Sequence, residues 1–202
     1  MDDCQDGWCW SDGRADGFLV ASVKNWMRGH QSSSESFEFS WSKWVPNKYN
    51  IFMWCAFIDR LPTKMSLLRR NILVDNQACV WCESSDKTVE HILTGCGIST
   101  GVWNAITSWC GIPGSFIFHV KDLVNLHDYS GASGNRKLVI HGIIIIACWR
   151  MWRARNEKVF SNKDPNVVEM VADIKSLSFL WYKHMFKQGV VDWDRWCMFD
   201  LM

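Results

Sequence analysis

The run CVWC at residues 79–82, followed by His91 and Cys96, constrains this chain more than any other feature of its sequence. The spacing is C-x2-C-x8-H-x4-C. Two cysteines separated by two residues form a tight knuckle whose sulfurs can face one ion. A histidine on a short helix capped by Thr88, with a cysteine just beyond that helix, completes a tetrahedron. Three thiolates and one imidazole suit Zn2+, a borderline-soft ion without redox demands. The competing explanation is that Cys79, Cys82 and Cys96 are ordinary buried cysteines. A redox C-x2-C pair would need a strand–helix context that is missing here. Four good ligands also leave no open position for water or substrate, so the expected role of the ion is structural. A zinc deaminase would need H-x-E and P-C-x-x-C, and neither occurs. Zinc bound in this way contributes folding energy directly, on the order of ten kcal/mol in small modules.

Nine cysteines in 202 residues, behind an acidic start (MDDCQDG) without an apolar run, point to a reducing compartment, nuclear or cytoplasmic. The apolar stretch LVIHGIIIIACW, residues 138–149, is too short to span a membrane and reads as a buried helix or strand. No membrane partner is expected.

The fold expected is mainly α: a helical hairpin, a small zinc-knuckle-like module, then further helices, with few short strands. Pro46 suits a first helical position, and Ile51, Trp54, Cys55 and Ile58 then recur along one face. Leu61-Pro62-Thr63 breaks the helix, and Thr63 caps a second over KMSLLRRN with Met65, Leu68 and Arg69 on one side. Ser99 or Thr100 opens a helix carrying Val102, Trp103, Ile106 and Trp109, which GIPG stops. Two more helices cover Leu138 to Lys158 and Asp164 to about Phe186. The N-terminal part offers a turn at DGRADGF, a short helix capped by Ser22 and a polar linker at 32–36. Candidate strands are FLV, FEF and FIFHV. The boundary expected between two domains falls at residues 110 and 111. The 14 tryptophans read as core and interface filler.

No phosphate-binding glycine loop, dinucleotide fingerprint or nucleophile elbow is present. Asp2, Asp3, Asp192 and Asp194 read as solvated surface, and the five other histidines as packed or surface residues. With a net charge of +1 overall, any nucleic-acid binding must come from a local patch. Lys43, Lys48, Arg60, Lys64, Arg69 and Arg70 face only Asp59 in the hairpin, whereas the knuckle itself is acidic through Glu83, Asp86 and Glu90. The hairpin is therefore the candidate contact for RNA or DNA, through Lys48, Arg60, Lys64, Arg69 and Arg70. RMWRARNEK at 150–158 is a second candidate. The bland alternative is that these cations only solvate the outer faces of amphipathic helices. Trp81, between the first two cysteines, suits either stacking on a base or covering the metal site.

Taken together, the chain resembles the zinc-binding module that follows the reverse transcriptase in plant non-LTR (LINE-type) retrotransposon proteins. The resemblance covers about Trp8 to Trp103. It rests on W-C-W and G-F-L-V, then Trp44, Pro46, Lys48, Phe52 and Trp54. It continues through RLPT at 60–63, Leu67 to Arg70, the four spaced ligands and Val102-Trp103. A weaker echo, WRARNEKVF, extends to Phe160. Lys87 stands where the family often has an acidic residue, and Asn71 where it often has glycine. The resemblance implies a module assisting nucleic-acid binding by a reverse transcriptase, in cis or in trans, without a catalytic centre of its own. Neither the paired aspartates of a polymerase palm nor the carboxylates of a ribonuclease H can be assembled from this sequence. The other expectation is a zinc-stabilised structural or protein-interaction module that binds no nucleic acid.

Overall fold

In the computed structural model the apolar run at 138–149 lies inside a helix, α5 (Gly134–Ser161), and residues 139–148 are buried on every side. A helix apolar all round must be surrounded by protein, and the other elements take their places around α5. The structure describes residues 39–73, 78–83, 88–113, 117–185 and 191–201. Expectations for the W-C-W and G-F-L-V segments, the Ser22 helix, the 32–36 linker and the FLV strand fall outside them.

In chain order the elements are α1 (Asn47–Phe57), α2 (Lys64–Leu68), a π turn (His91–Gly95), α3 (Gly97–Cys110), α4 (Val120–Asn125), α5, α6 (Val167–Met185) and α7 (Trp193–Cys197). The fold is mainly helical, as the sequence suggests. No helix among the described residues is long and apolar enough to cross a membrane. The α5–α6 pair packs most extensively, and α1, α4 and the π turn also lie against α5. Arg150 ties the pair through its Nε, which donates to Asp173 Oδ2 at 2.7 Å. Trp44 reaches α5 closely: its Nε1 donates to the Leu138 carbonyl, and a Cβ on Gly142 would lie 2.3 Å from its ring. Only glycine permits that approach.

Several local expectations hold. Thr63 caps α2 by accepting from the Ser66 N–H at 3.1 Å. Val102, Trp103 and Ile106 are buried on α3, which ends at Gly111 in the left-handed conformation. Asn71, with φ +59, adopts the same region, which explains how asparagine serves at a position suited to glycine.

Others are corrected. α1 presents the opposite face to the one its periodicity suggests. Tyr49, Asn50, Met53 and Ala56 are buried, while Ile51, Trp54 and Ile58 are exposed. The buried polar residue sets this rotation: Asn50 Oδ1 accepts from Ser42 N, and its Nδ2 donates to the Ser42 and Val45 carbonyls. Aromatic contacts of Tyr49 with Trp149 and of Phe52 with Trp152 then seat the helix on α5. FIFHV supplies no strand where it is described. Asp122 Oδ2 accepts from the Phe118 and His119 N–H groups and nucleates α4 instead. Asn166, not Asp164, accepts from the first free N–H groups of α6. Asp192 is not merely solvated, since it caps α7 by accepting from Arg195 N. That short helix inserts Trp196, fully buried, among Trp109, Phe179 and Tyr182.

Candidate metal centre

The knuckle begins in a turn closed by Glu83 N donating to the Cys79 carbonyl at 2.9 Å, with Glu83 at φ +56. Across from it, Thr88 Oγ1 accepts from the His91 N–H at 3.0 Å, capping the histidine segment as its sequence predicts. That segment is a π turn rather than an ordinary helix, closed by Cys96 N donating to the His91 carbonyl at 2.8 Å. The wider turn leaves the Ile92 and Leu93 carbonyls free of α-helical partners. Ser99 Oγ and Trp103 Nε1 donate to these two carbonyls instead. Gly95 lies beside the imidazole, and a Cβ there would stand in van der Waals contact with His91 Nδ1, at 3.4 Å. Cys96 then doubles as the N-cap of α3.

These elements bring one donor atom each from Cys79, Cys82, His91 and Cys96 within 4.8 Å of one another. Cys82 Sγ lies 3.2 Å from His91 Nε2, and the Trp81 N–H donates to Cys79 Sγ at 3.5 Å. Cys79 and Cys96 are buried, and the other two half-buried. Sulfurs about 2.3 Å from a tetrahedral zinc are about 3.8 Å apart, so a small contraction closes the shell. The electrostatics suit a metal. The Cys96 thiol donates to Cys79, and this bond brings the Cys79 thiol down to about 4 against the upward push of burial. The Trp81, Cys82 and His91 groups assist. The same bond, with burial, pushes Cys96 up, while the Ile98 N–H at the start of α3 works against that rise. Two sulfurs thus share a proton at the position where a metal ion would replace it. Cys110 and Cys148 differ: burial alone dominates, raising Cys110 to about 12, as expected of core thiols.

The proposed nucleic-acid contacts do not converge. Lys48 lies at the start of α1 over the Tyr49 and Trp149 rings, and Arg60 follows its far end, roughly 15 Å away. Arg69 is paired with Asp59, Arg70 is exposed, and Lys64 lines a cleft with Cys79 and Lys158. Trp81 is half-buried against the core. Sequence reasoning did not place the end of α5 beside the knuckle, where Lys158, Val159 and Asn162 line that cleft. The overlapping RMWRARNEK and WRARNEKVF segments are the signals the sequence offers for this region.

A family model described as zinc-binding in reverse transcriptase matches residues 18–103. The match spans the hairpin, all four ligands and the first half of α3. That family and the three-cysteine, one-histidine cluster fit a zinc-binding domain rather than the catalytic part of a reverse transcriptase. No curated protein and no solved structure matches the chain.

Proposed function

We propose that this protein binds one structural zinc ion through Cys79, Cys82, His91 and Cys96, and that the metal holds a helical platform for a LINE-type plant retrotransposon reverse transcriptase. The observation that carries this is the convergence of four donors within 4.8 Å from three separate local structures. When bound, zinc supplies cross-linking and charge, not reaction chemistry. The chain's residues supply the rest: Thr88 caps the turn that presents His91, and the Trp81 and Ile98 N–H groups support the thiolates. The test is metal content and far-UV dichroism of the purified chain beside Cys79→Ser and His91→Ala. One zinc per chain is expected, with metal and helicity lost together in both variants. A metal-free parent that keeps its helicity would overturn the assignment.

The platform's partner is RNA or DNA, with the reverse transcriptase acting in cis or in trans in nucleus or cytoplasm. Exposed Lys48, Arg60 and Arg70, with the exposed ring of Trp54 between them along the hairpin, support this. Affinity for single- and double-stranded oligonucleotides should fall as salt rises, and replacing these three cations with alanine should flatten that slope without loss of fold. Binding equal to an inert control at low salt would remove the nucleic-acid role. Two observations favour a protein-interaction module instead: Ile51, Trp54 and Ile58 form an exposed apolar stripe, and Arg69 is already occupied by Asp59.

A further inference from the structure

α5 carries four cations along its second half, and three of them have carboxylate partners. Arg150 meets Glu157 and Asp173, Arg153 meets Glu157, and Lys158 meets Asp164. Arg155 is the exception and also the more deeply enclosed case, at 5% exposure. Among the described residues it has no carboxylate. Its Nη1 donates to Asn156 Oδ1, its guanidinium lies over the Trp152 ring at 4.9 Å, and its Nε finds no hydrogen-bond partner. A buried guanidinium left this way is costly, so it calls for a negative charge nearby.

The helix itself indicates where that charge sits. Arg155, Lys158, Val159 and Asn162 are spaced i, i+3, i+4 and i+7, on one stripe of α5. The last three line the cleft against Ala78, Cys79 and Val80. Arg155 lies one turn earlier on the same stripe, and the π turn that carries His91 also packs on α5. Burial pushes the guanidinium toward its neutral form, and the charge of the Cys79 thiolate opposes that. A divalent ion with three thiolates and a neutral imidazole carries a net charge of −1, which one buried arginine balances. Lys158 is committed to Asp164, and half-buried Lys64 acts through solvent that screens it.

We propose that Arg155 is the resident counter-charge of the metal centre, a positioning residue that lets a buried site hold a third thiolate. This rests on the zinc assignment above. It is a requirement that the ligand spacing does not express, because the residue lies 59 positions beyond the last ligand.

The experiment measures zinc affinity of the full chain by competition with a chromophoric chelator, for the parent, R155M, R155K and the exposed neighbour variant R153M. Methionine keeps most of the side-chain volume and removes the charge. R155M is expected to bind zinc about ten- to a hundredfold more weakly, the usual range for outer-shell partners. R155K should recover most of that loss, and R153M should match the parent. Urea unfolding in excess chelator separates charge from packing: zinc-free R155M should lose far less stability, as a fold-change in the unfolding constant, than it loses in zinc affinity, since methionine keeps most of the packing. Parental affinity in R155M, or a lysine variant as weak as the methionine one, overturns the inference. A zinc-free form of R155M destabilised as much as its affinity is weakened does so too. A parent that binds no zinc overturns the metal assignment instead, so the two failures are distinct.

Discussion

His141 stacks on His127 in the interior, ring centroids 4.4 Å apart, with Nε2 of one and Nδ1 of the other lacking hydrogen-bond partners. Burial holds His141 down to about 4, the neighbouring His127 adds to this, and Asp128 only partly opposes it. Lys137, paired with Asp128, and Lys43, on the rim of the same cavity, add no negative charge. The folded-state value lies below the ordinary 6.5, so the unfolded chain takes up a proton first as pH falls. The neutral ring's contribution is therefore complete above about pH 6.5 and is lost between there and about pH 4, at up to about 1.4 kcal/mol per pH unit. In urea unfolding at pH 7, 5.5 and 4.5, the parent should lose stability faster than His141→Phe. Acid release of zinc is common to both proteins, so parallel curves would contradict this account. A histidine within IHGII could be seen in the sequence as packed, but its stacking partner belongs to a segment outside α5 and could not.

At the scale of the element, α1 shows what periodicity leaves undecided. The helix carries apolar residues on two faces, Ile51, Trp54 and Ile58 on one and Tyr49, Met53 and Ala56 on the other. Either set satisfies a helical repeat, so the pattern identifies the helix without identifying its inner side. Asn50 decides, because its amide completes three backbone groups of the Ser42–Val45 turn and can do so only when turned inward. Asn50→Ala would strand the Ser42 N–H and two carbonyls. It should cost about 2–4 kcal/mol in urea unfolding, at about 1–3 kcal/mol for each buried group left unpaired and with partial rehydration. It should also raise the accessibility of Tyr49. A loss below about 1 kcal/mol, the low end for one such group, would mean that Tyr49 and Phe52 alone hold the helix. The short helices tell the same story. Thr63 and Thr88 were legible because a cap acts on residues three positions away. The π turn was not, since its freed carbonyls are satisfied by Ser99 and Trp103 from the next helix.

Over the whole molecule, the metal cluster was legible because its four residues lie within 18 positions and spacing alone brings them near one another. What surrounds the cluster was not, because α5 comes from far along the chain and reaches it through packing with the π turn, α1, α4 and α6. That dependence has a consequence during synthesis. Cys79 leaves the ribosome roughly eighty residues before Asn162, which closes the cleft beside it, and at about 5–20 residues per second this is a delay of roughly 4–16 s. Throughout that interval the three thiols have neither their helical wall nor the arginine beneath it. The nascent chain must therefore take up its metal late, or hold an open, oxidisable cluster until the helix arrives.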